Sequence, residues 1–194
     1  MTLINETINA AQGLATFDWP VFPVNPDTKA PLITGWQSRP TCCRSGIVDL
    51  FKDYPSAAIG LVTGQRSGLI VIDIDDWENF SGLQNFRNAG HDLSPTVSVS
   101  TPKGDIYLYF KAPPVEVPCS VSKIGEGVDV KADRGYVIAP PSTTKRGEYR
   151  WSCKYKTFQQ GPLPLTEKFY MPVGQKRLVK NTGDAKRSVS ARLL

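Results

Sequence analysis

The hydrophobic pattern of this chain is dominated by one stretch in which apolar residues run directly into acidic ones. Residues 69–72 are all aliphatic, and Asp73, Ile74 and Asp75 follow them without a break. A short run of branched apolar residues predicts a buried central strand that carries charge only at its carboxyl end. Because side chains at i and i+2 share one face of a strand, Asp73 and Asp75 are expected to project together.

The rest of the chain shows more alternation than helical spacing. Helical spacing of apolar residues predicts helices at residues 5–17, 46–54 and 79–88. Alternation predicts further strands at residues 21–24, 57–63, 96–100, 105–111, 127–131, 136–139 and 148–154. The tight glycine-containing turn at residues 64–68 predicts that the strands on either side of it pair as a hairpin. Short turns between several strands favour a mixed or antiparallel sheet, so the predicted fold class is α+β.

Composition and charge place a boundary late in the chain. A length of 194 residues with ordinary globular composition predicts one compact domain, at residues 1–165, followed by a basic tail at 166–194. Residues 175–194 contain six basic residues and one acidic residue, which accounts for the net charge of +5. Such a tail is either a solvated linker or a nucleic-acid contact, and charge alone leaves both interpretations open.

Cysteine and histidine usage narrows the chemistry. Cys42, Cys43, Cys119 and Cys153 do not have the spacing of a zinc site, and His91 is the single histidine. A serine or cysteine hydrolase that depends on a histidine relay is therefore a poor fit. The chain also lacks a signal-like segment and a long apolar span, so we expect a cytoplasmic protein with free thiols and no membrane partner.

Two interpretations of the acidic strand end remain open on these residues alone. Carboxylates as close as Asp73 and Asp75 repel each other, and a divalent cation would allow both to stay ionised. Alternatively, the acids simply end the strand, and Asp76 caps the helix predicted at residues 79–88.

Several short motifs occur in a characteristic order along the chain. They are the acidic strand at residues 70–75, the turn at 101–104 with the strand after it, and segments 127–131 and 135–142, preceded by Phe22-Pro23, Lys29, Gly35-Trp36, residues 59–64 and Ser67-Gly68. Over about residues 17–151 the chain resembles the bifunctional primase-polymerase (prim-pol) domain of the archaeo-eukaryotic primase superfamily, found in plasmid, phage and prophage replication proteins. The resemblance implies a two-part fold whose catalytic half contains an RNA-recognition-like mixed or antiparallel sheet.

The resemblance also implies a catalytic centre. The family's first motif supplies two acidic metal ligands, here Asp73 and Asp75, and its third motif supplies another, here Asp129. Three carboxylates suit Mg²⁺ or Mn²⁺, and two such ions support nucleotidyl transfer. The implied partners are template DNA and nucleoside triphosphates. Family members commonly precede a helicase domain, so a helicase domain or protein is a further implied partner.

The second motif departs from the family pattern. Where the family has a small residue, any residue and then a histidine that meets the triphosphate, this chain has Asp105, Ile106 and Tyr107. A neutral phenol cannot provide a cationic contact to phosphate, and Asp105 adds negative charge beside the expected phosphate position. We expect Tyr107 to remain in the nucleotide site, with the phosphate contact supplied by Lys103, Lys131 or Arg134.

Some alternatives stay open at this stage. Lys29 either contacts nucleotide phosphate or is a solvated turn residue, and Lys131 either neutralises Asp129 or reaches phosphate. For the whole domain, the main hypothesis is a DNA primase/polymerase. The alternatives are a catalytically impaired nucleotide-binding or nucleic-acid-binding module in replication initiation and a metal-dependent phosphodiesterase.

Overall fold

The computed structural model describes residues 3–75, 81–88, 96–152 and 163–164. The helices are α1 (Leu3–Ala15), α2 (Arg44–Phe51) and α3 (Ser81–Asn88). The strands are β1 (Val21–Val24), β2 (Ala58–Val62), β3 (Leu69–Ile74), β4 (Val97–Ser100), β5 (Ile106–Lys111), β6 (Val128–Lys131), β7 (Tyr136–Ala139), β8 (Thr143–Thr144), β9 (Gly147–Glu148), β10 (Arg150–Ser152) and β11 (Leu163–Pro164).

The described strands form two main sheets. The smaller sheet has the order β1-β2-β7, and the larger has the order β10-β4-β5-β3-β6, with β11 added parallel to the end of β5. Every pairing along these two paths is antiparallel. Strands β8 and β9 form a separate short hairpin. The α+β prediction is confirmed, with mostly antiparallel sheets.

Strand β3 is an inner strand of the larger sheet, between β5 and β6, and its two faces enter different hydrophobic clusters. Ile70, Ile72 and Ile74 pack with the apolar residues of β5 and β6 on one face. Leu69 and Val71 on the other face join the cluster that includes α1, α2 and the smaller sheet. Asp73 follows Val71 on this second face. The acidic strand end therefore opens on the side of the larger sheet that faces the smaller one.

The predicted hairpin between β2 and β3 was wrong. The turn at residues 64–68 closes with reciprocal backbone hydrogen bonds between Gly64 and Leu69, and the contact between the two strands stops at that bridge. Strand β2 instead pairs with β1 and β7, while β3 pairs with β5 and β6. Because both edges of each strand are occupied, the turn carries the chain from one sheet to the other.

Helix α3 covers the end of the larger sheet next to the acids. It contacts β3 and β6, and Gly82 is buried where the helix passes the carbonyl of Asp75. A side chain at position 82 would meet this carbonyl and the Ile74 side chain at less than contact distance. The close approach of helix and strand therefore depends on glycine at this position.

Several predictions concern residues outside the described ranges. They include the helix cap at Asp76, the thiol Cys153 and the basic tail at 166–194, and the single histidine, His91, lies outside them too. The boundary after residue 165 therefore stays a prediction. Among the described residues, Cys42, Cys43 and Cys119 are free thiols, and no helix is both long and apolar enough to span a membrane.

Candidate metal and nucleotide site

Cross-strand register brings residues of three strands together at Asp73. Asp73 of β3 pairs with Asp129 of β6 on one side and with Tyr107 of β5 on the other. Directly opposite residues in an antiparallel pair have Cβ atoms about 5 Å apart. Two residues that are more than thirty positions from Asp73 in sequence thus become its immediate neighbours on one face of the sheet.

Asp75 lies one residue beyond the end of β3. Its backbone N–H donates to the carbonyl of Gly127 at 2.8 Å, and its side chain is exposed. Asp75 and Asp73 therefore differ in environment although they are two residues apart. One carboxylate faces solvent and the other is enclosed by the sheet.

A third carboxylate joins this pair, and it is Asp105. Asp73, Asp75 and Asp105 each offer an oxygen atom, and these atoms all lie within 4.8 Å of one another. The pairing of Ile74 with Ile106 explains the proximity, since the next residues in an antiparallel register are Asp75 and Asp105. We call Asp73, Asp75 and Asp105 the acidic cluster. In the sequence, Asp105 stands out only as a negative charge beside the expected phosphate position, and its place in this cluster was not predicted.

Asp129 is adjacent to the acidic cluster but has protein partners of its own. Its Oδ2 accepts a hydrogen bond from Lys131 Nζ at 2.9 Å, and its Oδ1 accepts one from the Ser122 N–H at 3.0 Å. Lys131 Nζ also lies 3.9 Å from Asp73 Oδ2. Burial lowers the pKa of Lys131, but the hydrogen bond to Asp129 and the charge of Asp73 outweigh it, so the net shift is upward. Lys131 is therefore a stable cation that neutralises Asp129, which was one of its two predicted roles.

Among the carboxylates of the cluster, Asp73 is the one whose ionised form burial disfavours most. Burial raises its pKa to about 7, against the opposing charge of Lys131 and with added repulsion from Asp105, Asp75 and Asp129. The pKa of the exposed Asp75 is also raised, chiefly by partial desolvation of its carboxyl group and then by the charge of Asp105. Asp73 Oδ1 is buried and has no hydrogen-bond partner among the described residues. An all-oxygen donor set with one unpaired buried oxygen fits a hard divalent cation.

Three tyrosines, Tyr107, Tyr109 and Tyr149, lie next to Asp73, and we call them the tyrosine wall. Tyr107 is only 8% exposed, and its ring packs against the ring of Tyr149 with the two centroids 6.0 Å apart. Tyr109 is fully buried, and its hydroxyl has no hydrogen-bond partner among the described residues. Burial and then the charge of Asp73 raise the pKa of both Tyr107 and Tyr109, so both phenols stay neutral.

The comparison with known protein families agrees with this geometry. Residues 11–166 match the family described as bifunctional DNA primase/polymerase, N-terminal. The chain belongs to this family. The match includes all four acids at the site and confirms the resemblance found in the motifs. A search of curated proteins finds no match.

Family membership gives the domain a general role. Primase/polymerase domains act in nucleic-acid synthesis, and the family is one of nucleotidyltransferases that typically depend on divalent metals. The acidic cluster is the feature of this chain to which such dependence corresponds.

The predicted cationic contacts of this primase/polymerase domain lie in different places. Lys103 is exposed on the turn before β5, and its charge lowers the pKa of Asp75, opposing the effects of burial and Asp105. Lys29 Nζ lies 5.6 Å from the centroid of the Tyr149 ring, which places it beside the tyrosine wall. Arg134, in contrast, pairs with exposed Glu116 at 4.0 Å.

Local backbone geometry fixes the position of Lys29. It has a positive φ of 61°, and its carbonyl accepts a hydrogen bond from the Tyr136 hydroxyl at 2.7 Å. Lys29 thus comes from the segment after β1 of the smaller sheet yet reaches the ring that contacts Tyr107 of the larger one. Lys103 and Tyr107 thus lie beside the acids, Lys29 lies beside the Tyr149 ring, and Arg134 is engaged elsewhere.

Proposed function

We propose that this domain is a template-directed DNA primase/polymerase that transfers nucleotides with two divalent ions, Mg²⁺ or Mn²⁺. The observation that carries the proposal is the cross-strand pairing of Asp73 with Asp129, with Asp75 at the end of the same strand. These three acids are the proposed metal ligands and catalytic residues. The two-sheet arrangement around them supports the two-part primase-polymerase fold.

The protein's own residues have distinct parts in this reaction. When bound, the two ions supply Lewis-acid stabilisation of charge at the attacking and leaving oxygens. Lys103 is placed to pair with the triphosphate, because it is exposed and close enough to Asp75 to lower its pKa. Lys29 approaches from the tyrosine wall, and the small exposed part of Tyr107 borders the nucleotide. Lys131 holds Asp129, and Arg134 is the weakest of the proposed phosphate contacts.

The biological setting of the proposal follows from the family. We infer a role in plasmid, phage or prophage replication, with template DNA and nucleoside triphosphates as substrates and a helicase domain or protein as partner. The basic tail, with its six cationic residues after position 174, supports either a linker to that partner or added contact with DNA.

Primer extension on a primed template tests this function. The wild-type domain is expected to extend the primer with Mg²⁺ or Mn²⁺, and Asp73→Asn to lose activity by about a thousandfold or more, since it removes a charged ligand. Asp49→Asn is the matched control, because Asp49 pairs with Lys52 in an exposed helical salt bridge. Equal activity of wild type and Asp73→Asn would overturn the proposal.

A second candidate function is a binding module with impaired catalysis. The burial of Tyr107 and its packing against Tyr149 favour this candidate, since the position that should meet triphosphate is largely enclosed. Nucleotide or DNA binding without extension in any metal would support the module. Release of labelled mononucleotide from DNA instead of chain growth would indicate a phosphodiesterase that uses the same acids.

A further inference from the structure

The turn before β5 holds Asp105 in a defined position. The backbone N–H of Thr101 donates to the Asp105 carbonyl at 3.0 Å, and the Thr101 hydroxyl donates to Asp105 Oδ2 at 3.2 Å. The N–H of Lys103 donates to the same hydroxyl at 3.3 Å, and Gly104 has the positive φ of 87° that the turn requires. The carboxylate of Asp105 is therefore oriented before any ligand arrives.

The register of β3 and β5 then directs Asp105 towards Asp75. Its carboxylate joins Asp73 and Asp75 with oxygen atoms of all three residues within 4.8 Å of one another. Oxygen ligands about 2.1 Å from one ion are at most about 4.2 Å apart, so only a small movement of these side chains is needed for all three to contact one Mg²⁺ or Mn²⁺. Asp129 is not a member of this group among the described residues.

A buried oxygen of the acidic cluster and a buried hydroxyl of a neighbouring residue both lack a hydrogen-bond partner among the described residues. These atoms are Asp73 Oδ1 and the Tyr109 hydroxyl oxygen. Tyr109 is fully buried and lies on the same face of the sheet as Asp73. A buried polar atom without a partner is costly, and a hydrated cation would satisfy both atoms.

We propose that Asp105 is a direct metal ligand, and that Asp73, Asp75 and Asp105 hold the more tightly bound of the two divalent ions. The proposal rests on the proposed function for the presence of metal, but it concerns a residue outside the three acids assigned there. Asp129 has the smaller share in this tighter site, because Lys131 and the Ser122 N–H already occupy its two oxygens.

Binding of Mn²⁺ alone tests this assignment without any enzymatic readout. Free Mn²⁺ is measured by electron paramagnetic resonance while wild type, Asp105→Asn, Asp129→Asn and Asp49→Asn are titrated. We expect Asp105→Asn to weaken the tighter site about tenfold or more, Asp129→Asn to weaken it less, and Asp49→Asn to leave it unchanged. Asparagine keeps an acceptor for the Thr101 hydroxyl, so the turn is retained.

The controls separate ligation from folding. The unfolding temperature of Asp105→Asn in chelator is expected to equal or exceed that of wild type, because one repelling charge is removed. Adding Mn²⁺ should then raise the unfolding temperature of wild type more than that of Asp105→Asn. Equal Mn²⁺ affinity of wild type and Asp105→Asn, with loss of binding in Asp73→Asn, would overturn the proposal.

Primer extension distinguishes failure of this inference from failure of the proposed function. If Asp105→Asn loses Mn²⁺ affinity and the wild-type domain never extends a primer, Asp105 is a ligand and the polymerase function is wrong. If the wild type extends primers and Asp105→Asn keeps both affinity and extension, the function stands and the inference is wrong. If the wild type binds no Mn²⁺ at all, both are overturned.

Discussion

The two strands that flank β3 surround Asp73 with different chemistry. On the β6 side, Asp129 faces Asp73 and Lys131 bonds to Asp129 while lying 3.9 Å from Asp73. On the β5 side, Asp105 contributes another carboxylate, and Tyr107 and Tyr109 contribute neutral phenols. Among the described residues, the partly buried cation at the site is thus on the β6 side, and Lys103 on the β5 side is exposed. The β5 side therefore has the greater need for a bound cation.

The largest expected effect comes from removing the charge of Asp73, which lies between the β5 side and the β6 side. In metal-free buffer, Asp73 has a pKa of about 7 in the folded state, whereas in the unfolded chain its pKa has the ordinary value for an aspartic acid, 3.8. Stability should therefore fall as pH rises between these values and level off above them. Asp73→Asn removes this dependence and should raise the free energy of unfolding at pH 8 by about 2–4 kcal/mol.

Denaturant unfolding in chelator at pH 5 and pH 8 measures this effect. The difference between variant and wild type should be larger at pH 8 and should shrink when Mn²⁺ is added, since the ion stabilises only the wild type strongly. A constant difference at both pH values would show that the charge of Asp73 is not the cause.

The next largest effect on stability is expected from removing the cation on the β6 side. Lys131→Met removes the cation that pairs with Asp129 and lies near Asp73, and leaves both acids without it. We expect a loss of about 2 kcal/mol in the free energy of unfolding without metal. Lys131→Arg is the control that keeps the charge and should lose less. An unchanged stability in Lys131→Met would mean that the pair contributes nothing to the fold.

A smaller effect on stability is expected from removing a buried hydroxyl on the β5 side. Tyr109→Phe deletes a buried hydroxyl that has no hydrogen-bond partner among the described residues. Without metal the variant should be as stable as wild type or more stable by about 1 kcal/mol. With Mn²⁺ present this gain should disappear, because the hydroxyl then has hydrated metal as a partner. A loss of stability without metal would reveal a partner in the protein.

The smallest effect on the fold is expected at the exposed cations. Lys103→Ala should change the free energy of unfolding by less than about 0.5 kcal/mol and raise the KM for nucleotide several-fold. Arg134→Ala is the matched comparison, because Arg134 is exposed and pairs with Glu116. Steady-state primer extension at several salt concentrations measures both variants. A KM of Lys103→Ala equal to that of wild type would remove Lys103 from the proposed phosphate contacts.

Local patterns predicted much of this fold. The strands β3, β4, β5 and β6 were readable because each depends on the residues of one segment, although β4 and β5 are buried on both faces and only β6 alternates in burial. Helices α1 and α2 also formed where apolar spacing placed them, with ends shifted by a few residues. The placement of Asp129 beside Asp73 was expected from the family's motif order, and its register with Asp73 became visible only in the structure.

What the sequence did not predict depends on pairing between distant segments. The hairpin prediction for β2 and β3 failed because both strands have other partners on each edge. Asp105 was missed because its position opposite Asp75 follows from the β3 and β5 register, which has no signal in local spacing. The burial of Tyr107 was missed for the same reason, since it depends on contact with Tyr149.

Gly82 adds an uncharged position to those on which the function of this domain depends. Helix α3 passes so close to the carbonyl of Asp75 that even a methyl group at this position would push the two backbones apart. Random mutagenesis scored for lost activity should therefore recover substitutions at Gly82 along with substitutions of the acids. Gly82 thus helps to align the carboxylate of Asp75, although it has no side chain of its own to contact it.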